Sequence, residues 1–138
     1  KLIEASQEGV DITLIVRGIC TLLPGVKNST ENIKVYRIVD MFLEHSRIYK
    51  FANAGKEKIY LSSADMLDRN LNRRIEVAFP ITDTNHKDEI NTIIHLQLED
   101  NTKKRIININ GLNDPIKKAR SPRRSQTETY TWIEKQQQ

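Results

Sequence analysis

The chain predicts a single α/β domain in which a mixed sheet is flanked by helices, and three observations carry that reading. Short runs of strand-like alternation recur at residues 34–38, 47–51, 58–62 and 74–79. One longer segment, residues 84–98, spaces Ile90, Ile93, Ile94 and Leu98 as a helix does. The 138 residues leave room for one core that buries about two thirds of the unfolded surface.

Taken in order, Lys1 and the Leu-Ile-Glu-Ala-Ser after it read as the end of a helix entered mid-element, so the expectation is a piece of a longer chain whose other parts supply further residues. Residues 11–17 form an apolar strand buried on both faces, and residues 24–30, with Pro24, Gly25 and Asn28, form a loop. Residues 39–44 are either a short helix that sends Met41 and Leu43 to the core or an irregular connection. Residues 53–57 turn the chain between two strands, and Pro80 ends the sheet. Asp83 or Thr84 caps the long helix, on which His86 and His95 stand too far apart to act as an adjacent metal pair. An extended segment at 105–110 leads through Gly111 and Pro115 into a basic segment over 101–124, and a terminal helix with Tyr130, Trp132 and Ile133 lies in residues 125–138.

Composition narrows the class. Cys20 is the single cysteine, which excludes an internal disulfide and reads as a buried, reduced thiol. No apolar run approaches the ~20 residues of a membrane-spanning helix, and a cytoplasmic protein is the expectation. The net charge is +4, but residues 101–124 gather Lys103, Lys104, Arg105, Lys117, Lys118, Arg120, Arg123 and Arg124 against the lone Asp114. Such a run either attracts a polyanion by releasing its counterions or is a solvated surface.

The chemistry concentrates between residues 42 and 76. In Phe42-Leu43-Glu44-His45-Ser46-Arg47-Ile48-Tyr49-Lys50-Phe51, alternation sends His45, Arg47, Tyr49 and Phe51 to one face and Ser46, Ile48 and Lys50 to the other. An imidazole beside a guanidinium suits phosphate: arginine offers a fixed fork of donors, and histidine can bind, donate a proton or attack near neutral pH. Tyr60-Leu61-Ser62-Ser63-Ala64-Asp65 follows, with Arg69, Asn70 and Glu76. Asp65 reads either as a turn or cap residue or as a carboxylate that orients the imidazole, and Glu76 as a partner for Arg69 or Arg74. Arg17 ends the first strand before Gly18, placing a guanidinium at the strand's carboxyl edge as a clamp or as half of a salt bridge.

The order and spacing of these blocks resemble the phospholipase D superfamily, with Ser62-Ser63-Ala64-Asp65, Arg69, Asn70 and Glu76 following the histidine of its HxK signature. The closer resemblance is to the C-terminal domain of the polyphosphate kinases. It rests on Leu14-Ile15-Val16-Arg17-Gly18-Ile19-Cys20 with Pro24-Gly25, Ser29-Thr30-Glu31-Asn32-Ile33, the His45 block, Tyr60 to Asp65, and Arg69-Asn70-Leu71. The resemblance implies a phospholipase D-like fold. It also implies reversible transfer of the terminal phosphate of ATP to inorganic polyphosphate, through a phosphohistidine on a preceding domain that lies outside this sequence. It gives His45 the catalytic role of binding the transferring phosphate or protonating the leaving oxygen. Arg17 then binds nucleotide, while Arg47, Ser62, Ser63 and Arg69 bind phosphate, supported by Asp65, Asn70 and Glu76. ATP and ADP are the implied nucleotides, and magnesium is held by ligands outside these residues. The preceding catalytic domain and a homo-oligomer are the implied partners, without nucleic acid. The full-length enzyme is cytoplasmic with scope for membrane association, and this piece alone is inactive.

Arg47 stands where the phospholipase D signature has lysine, Ala52 where it ends in aspartate, and Asp65 and Arg74 where asparagine is usual. These departures count against a phosphodiesterase half-site. A third class, a non-catalytic polyanion-binding module, would bind through the basic segment without using His45.

Overall fold

The computed structural model describes residues 1–116 and 120–136. The chain forms two compact units, Lys1–Leu43 with Ile93–Gln138, and Glu44–Thr92, each built on its own sheet. The first unit holds helix α1 (Leu2–Gln7), strands β1 (Ile12–Val16) and β2 (Ile33–Ile38) and, later in the chain, β6 (Lys104–Ile107), β7 (Asn113–Pro115) and helix α4 (Ser125–Gln136). The second holds β3 (Ile48–Phe51), β4 (Lys58–Ser62), α2 (Asp68–Arg73) and β5 (Ala78–Ile81). Helix α3 (Thr84–Glu99) begins in the second and ends in the first.

The strands expected to share one mixed sheet fall in two; the mixed one is four-stranded, ordered β1-β2-β6-β7, in which β1 and β2 run parallel and the other pairs antiparallel. Its core is Ile33, Val35 and Ile107, with Leu2, Ile12, Leu14, Val16, Cys20 and Leu22 packed against them. Full burial of a side chain such as Ile33, Val35 or Ile107 contributes about 1.5–3 kcal/mol. Because β1 is an edge strand, it is only half-buried and leaves Thr13 exposed, where burial on both faces was expected. The parallel crossover from β1 to β2 uses a loop, not a helix. Thr30 closes it: its hydroxyl donates to the Leu23 carbonyl at 2.5 Å and accepts from the Val26 N–H at 3.1 Å, while Gly25 takes φ 74°.

In the second unit β4 lies between β3 and β5, all antiparallel. Ile59 and Ala64 are its buried apolar side chains. Pro80 does not end the sheet but pairs with Tyr60, so β5 covers Ala78–Ile81 and not residues 74–79. An edge strand tolerates proline because one side of it needs no ladder donor. The turn between β3 and β4 falls at Asn53–Gly55, as expected. Asp83 caps α3 by accepting the His86 N–H at 3.1 Å, and both His86 and His95 are exposed.

Residues 39–44 are irregular, and Met41 (68% exposed) and Leu43 (77%) do not enter the core. In the same unit Asp100 is fully buried. Its Oδ1 accepts the N–H groups of Thr102, Lys103 and Lys104, and its Oδ2 accepts the Ser125 N–H and hydroxyl, both at 2.8 Å. The knot fixes the start of α4.

Candidate functional site

The centre of the candidate site is Arg47, which immediately precedes β3. Its Nε donates to Asp65 Oδ1 at 3.0 Å, and both side chains are largely shielded from water. Its Nη1 donates to the His45 carbonyl at 3.0 Å and lies 3.0 Å from Nδ1 and 3.4 Å from Nε2 of the same imidazole. Arginine carries only donors, so the ring nitrogen it meets serves as acceptor. Asp65 therefore holds the guanidinium, and the guanidinium holds the histidine. His45 itself is exposed and open to a ligand.

The turn that carries Asp65 is tied down at several points. Tyr49 donates its hydroxyl to the Ala64 carbonyl at 3.0 Å. Ser62 Oγ donates to the Val77 carbonyl at 3.0 Å and accepts the Ala64 N–H at 3.1 Å. Ser63 Oγ donates to Glu76 and accepts the Val77 N–H, while Asn70 Nδ2 donates to Glu76 Oε1 at 2.7 Å. Glu76 thus pairs with Ser63 and Asn70 in place of the expected Arg69 or Arg74. The Ser63 and Asn70 hydrogen bonds, aided by the charges of Arg74 and Arg47, hold its carboxyl below the ordinary 4.5. Asn70 is buried, and its Oδ1 has no hydrogen-bond partner among the described residues. Arg69 is exposed and has no partner among the described residues, so its guanidinium is free to meet an anion.

Tyr49, Phe51, Ser62, Ala64, Met66, Leu71, Glu76, Val77 and Ala78 line an open groove of about 340 Å³ on this unit. Tyr49 and Phe51 share it, while Lys50 points away to Asn91 and Glu57, at 2.6 and 2.7 Å. For Tyr49, Lys50 and Phe51 that is the alternation read from the sequence, whereas His45 and Arg47 precede β3 and are not among the residues that line the groove. Glu57 accepts from Asn91 as well, and the hydrogen bonds from Asn91 and then Lys50 lower its pKa.

In the first unit Arg17 directly follows β1 and is half-buried. Sequence reasoning missed its neighbour Arg37 on β2. That residue donates through Nη2 to the Gly18 carbonyl at 2.8 Å and through Nη1 to Asn113 Oδ1 at 3.0 Å, fixing the backbone that leaves Arg17. The signal was a second cation, in addition to Lys34, inside a strand whose other positions are Ile33, Val35, Tyr36 and Ile38. Gly18 does not use a left-handed backbone.

The basic segment is largely spent on internal partners. Arg124 grips Asp40 with two bonds of 2.6 and 2.7 Å, Lys103 lies 3.8 Å from the same carboxylate, and Arg123 pairs with Glu128 and Glu99. Lys104 is buried, donates to the Leu98 carbonyl and sits over the Tyr36 ring. Lys117 and Lys118 lie outside the described residues. Among the described residues no three His, Cys, Asp or Glu side chains gather in one place.

Two sheets with four helices, and a histidine, arginine and carboxylate gathered where one sheet ends, define an α/β domain of the phospholipase D-like class. Residues 1–126 match the family described as polyphosphate kinase C-terminal domain 2. The chain belongs to that family. It is 53% identical over 111 residues to a polyphosphate kinase of Bacillus cereus, covering 80% of this chain and 16% of the relative. It is 47% identical over 127 residues to one of Staphylococcus epidermidis, covering 92% and 17%. The crystal structure of polyphosphate kinase from Porphyromonas gingivalis superposes with a TM-score of 0.92 at 44% identity, covering 98% of this chain and 21% of that one. The chain therefore spans about a sixth to a fifth of the length of these relatives.

Proposed function

We propose that this chain is part of an ATP:polyphosphate phosphotransferase, which moves the terminal phosphate of ATP reversibly onto inorganic polyphosphate through a phosphohistidine on the preceding domain of the parent chain. The observation that carries the reading is Arg47, anchored on one side by Asp65 and lying against His45 on the other. Phosphoryl transfer asks little of a protein beyond a nucleophile, so donors already aimed at the equatorial oxygens do most of the work. In this reading Arg47 and Arg69 bind phosphate oxygens. His45 binds the transferring phosphate or gives a proton to the leaving oxygen, and Arg17 binds the nucleotide. Ser62 and Ser63 have already donated their hydrogens inside the protein, so they act with Asn70 and Glu76 by holding the turn. Magnesium arrives with ATP or ADP on ligands outside these residues, and no step here is routed through it. The parent enzyme is a cytoplasmic homo-oligomer with scope for membrane association, and the isolated chain does not turn over.

Labelling the parent enzyme with ATP that carries a radioactive terminal phosphate tests the assignment. The expected result is an acid-labile, alkali-stable label on a peptide outside these residues, discharged by ADP. A label on His45 would contradict the division of roles.

A further inference from the structure

We propose that Asp65 is a positioning residue that aims Arg47 at the transferring phosphate, an inference that rests on the phosphotransferase reading above. A guanidinium presents donors along its Nε side and at its two Nη ends. Asp65 Oδ1 occupies Nε, and the His45 carbonyl occupies Nη1, both at 3.0 Å. Arg47 Nη2 has no hydrogen-bond partner among the described residues. The two anchors leave one end of the fork for an incoming oxygen and set its direction, while the same Nη1 keeps the imidazole alongside.

The carboxylate can do this because its own backbone is held. Residues on both sides of it are fixed: Ala64 by Tyr49 and Ser62, Ser63 by Glu76 and Val77, and Asn70 by Glu76. A loose turn would let Arg47 swing with Asp65. A pinned one converts the ion pair into an aiming device. Its net contribution to stability is modest because both partners keep some contact with water. Its contribution to rate is larger, since a misplaced donor costs up to about 10²-fold.

A double-mutant cycle in the full parent enzyme tests this, with kcat and KM for polyphosphate measured during ATP formation from ADP. In the wild-type background Asp65→Ala is expected to lower kcat by about 10- to 100-fold with KM changed by less than about threefold. In an Arg47→Ala background the same substitution is expected to cost less than about threefold, because a residue that acts through Arg47 has nothing left to aim. Equal losses in both backgrounds, or a rise in KM alone, would overturn the proposal. Should Asp65→Ala fail to fold, Asp65→Asn takes its place in the cycle; its amide keeps the shape, and the same non-additivity is required. Wild-type enzyme that forms no ATP from polyphosphate would remove the phosphotransferase reading itself, whereas active wild type with an additive cycle removes only the role of Asp65.

Discussion

Asp100 shows how one side chain can decide where two elements begin. Burial pushes its carboxyl up, but the N–H groups of Ser125, Lys103 and Lys104 and the Ser125 hydroxyl outweigh that and hold it below the ordinary 3.8. Replacing it by alanine orphans these donors in a water-free place, and urea denaturation is expected to show a loss of about 3 kcal/mol. The sign with pH follows from the lowered value. The stability this carboxylate contributes is fully present above its unfolded pKa of 3.8 and is lost as pH falls through the lower folded value. Asp100→Asn should therefore flatten the acid limb of the stability curve relative to wild type.

At the scale of elements, the positive-φ glycine at the turn between β6 and β7 offers a direct check. Gly111 has φ 75°, and an added Cβ would come within 3.3 Å of Leu23 Cδ2. Gly111→Ala is expected to destabilise by about 1 kcal/mol or more in urea denaturation. The neighbouring strands also show what a sequence makes legible. Lys58–Ser62 and the long helix were read nearly to the residue, because each alternates or repeats over enough positions to leave one interpretation. Strand β7 was missed since Asn-Asp-Pro is exposed at every position and carries no apolar signal. Helix α2 was missed for a related reason: its buried residue is Asn70, held by Glu76 and not by a hydrophobic face. The extended segment expected at 105–110 stops at Ile107 because the Asn108 side chain accepts the N–H groups of Asn110 and Leu112 and turns the chain. Helix α4 starts at Ser125 through Asp100, which is 25 residues away in sequence and leaves no local trace. In the site, the two faces of β3 were legible from alternation, but the grip of Asp65 on Arg47 was not, since it joins two strands' ends across 18 positions.

At the scale of the whole molecule, charge alone is a poor guide to where a polyanion binds. The net +4 is concentrated in a segment whose Lys103, Arg123 and Arg124 are committed to Asp40, Glu99 and Glu128. Arg124→Ala in the parent enzyme is thus expected to lower the Tm while leaving polyphosphate affinity little changed. Arg47→Ala should instead lower kcat for ATP formation; binding titrations at fixed salt, melting curves and turnover measurements separate the two. The central claim is that this domain completes a phosphoryl-transfer site with His45 in it. Its most direct test is ATP formation from ADP and polyphosphate by the complete parent chain, comparing wild type with His45→Ala at equal folded concentration. The account requires polyphosphate-dependent ATP formation that falls by about 10²- to 10⁴-fold in the variant. Undiminished turnover by folded His45→Ala enzyme, or wild type that cleaves a phosphodiester and makes no ATP, would contradict it.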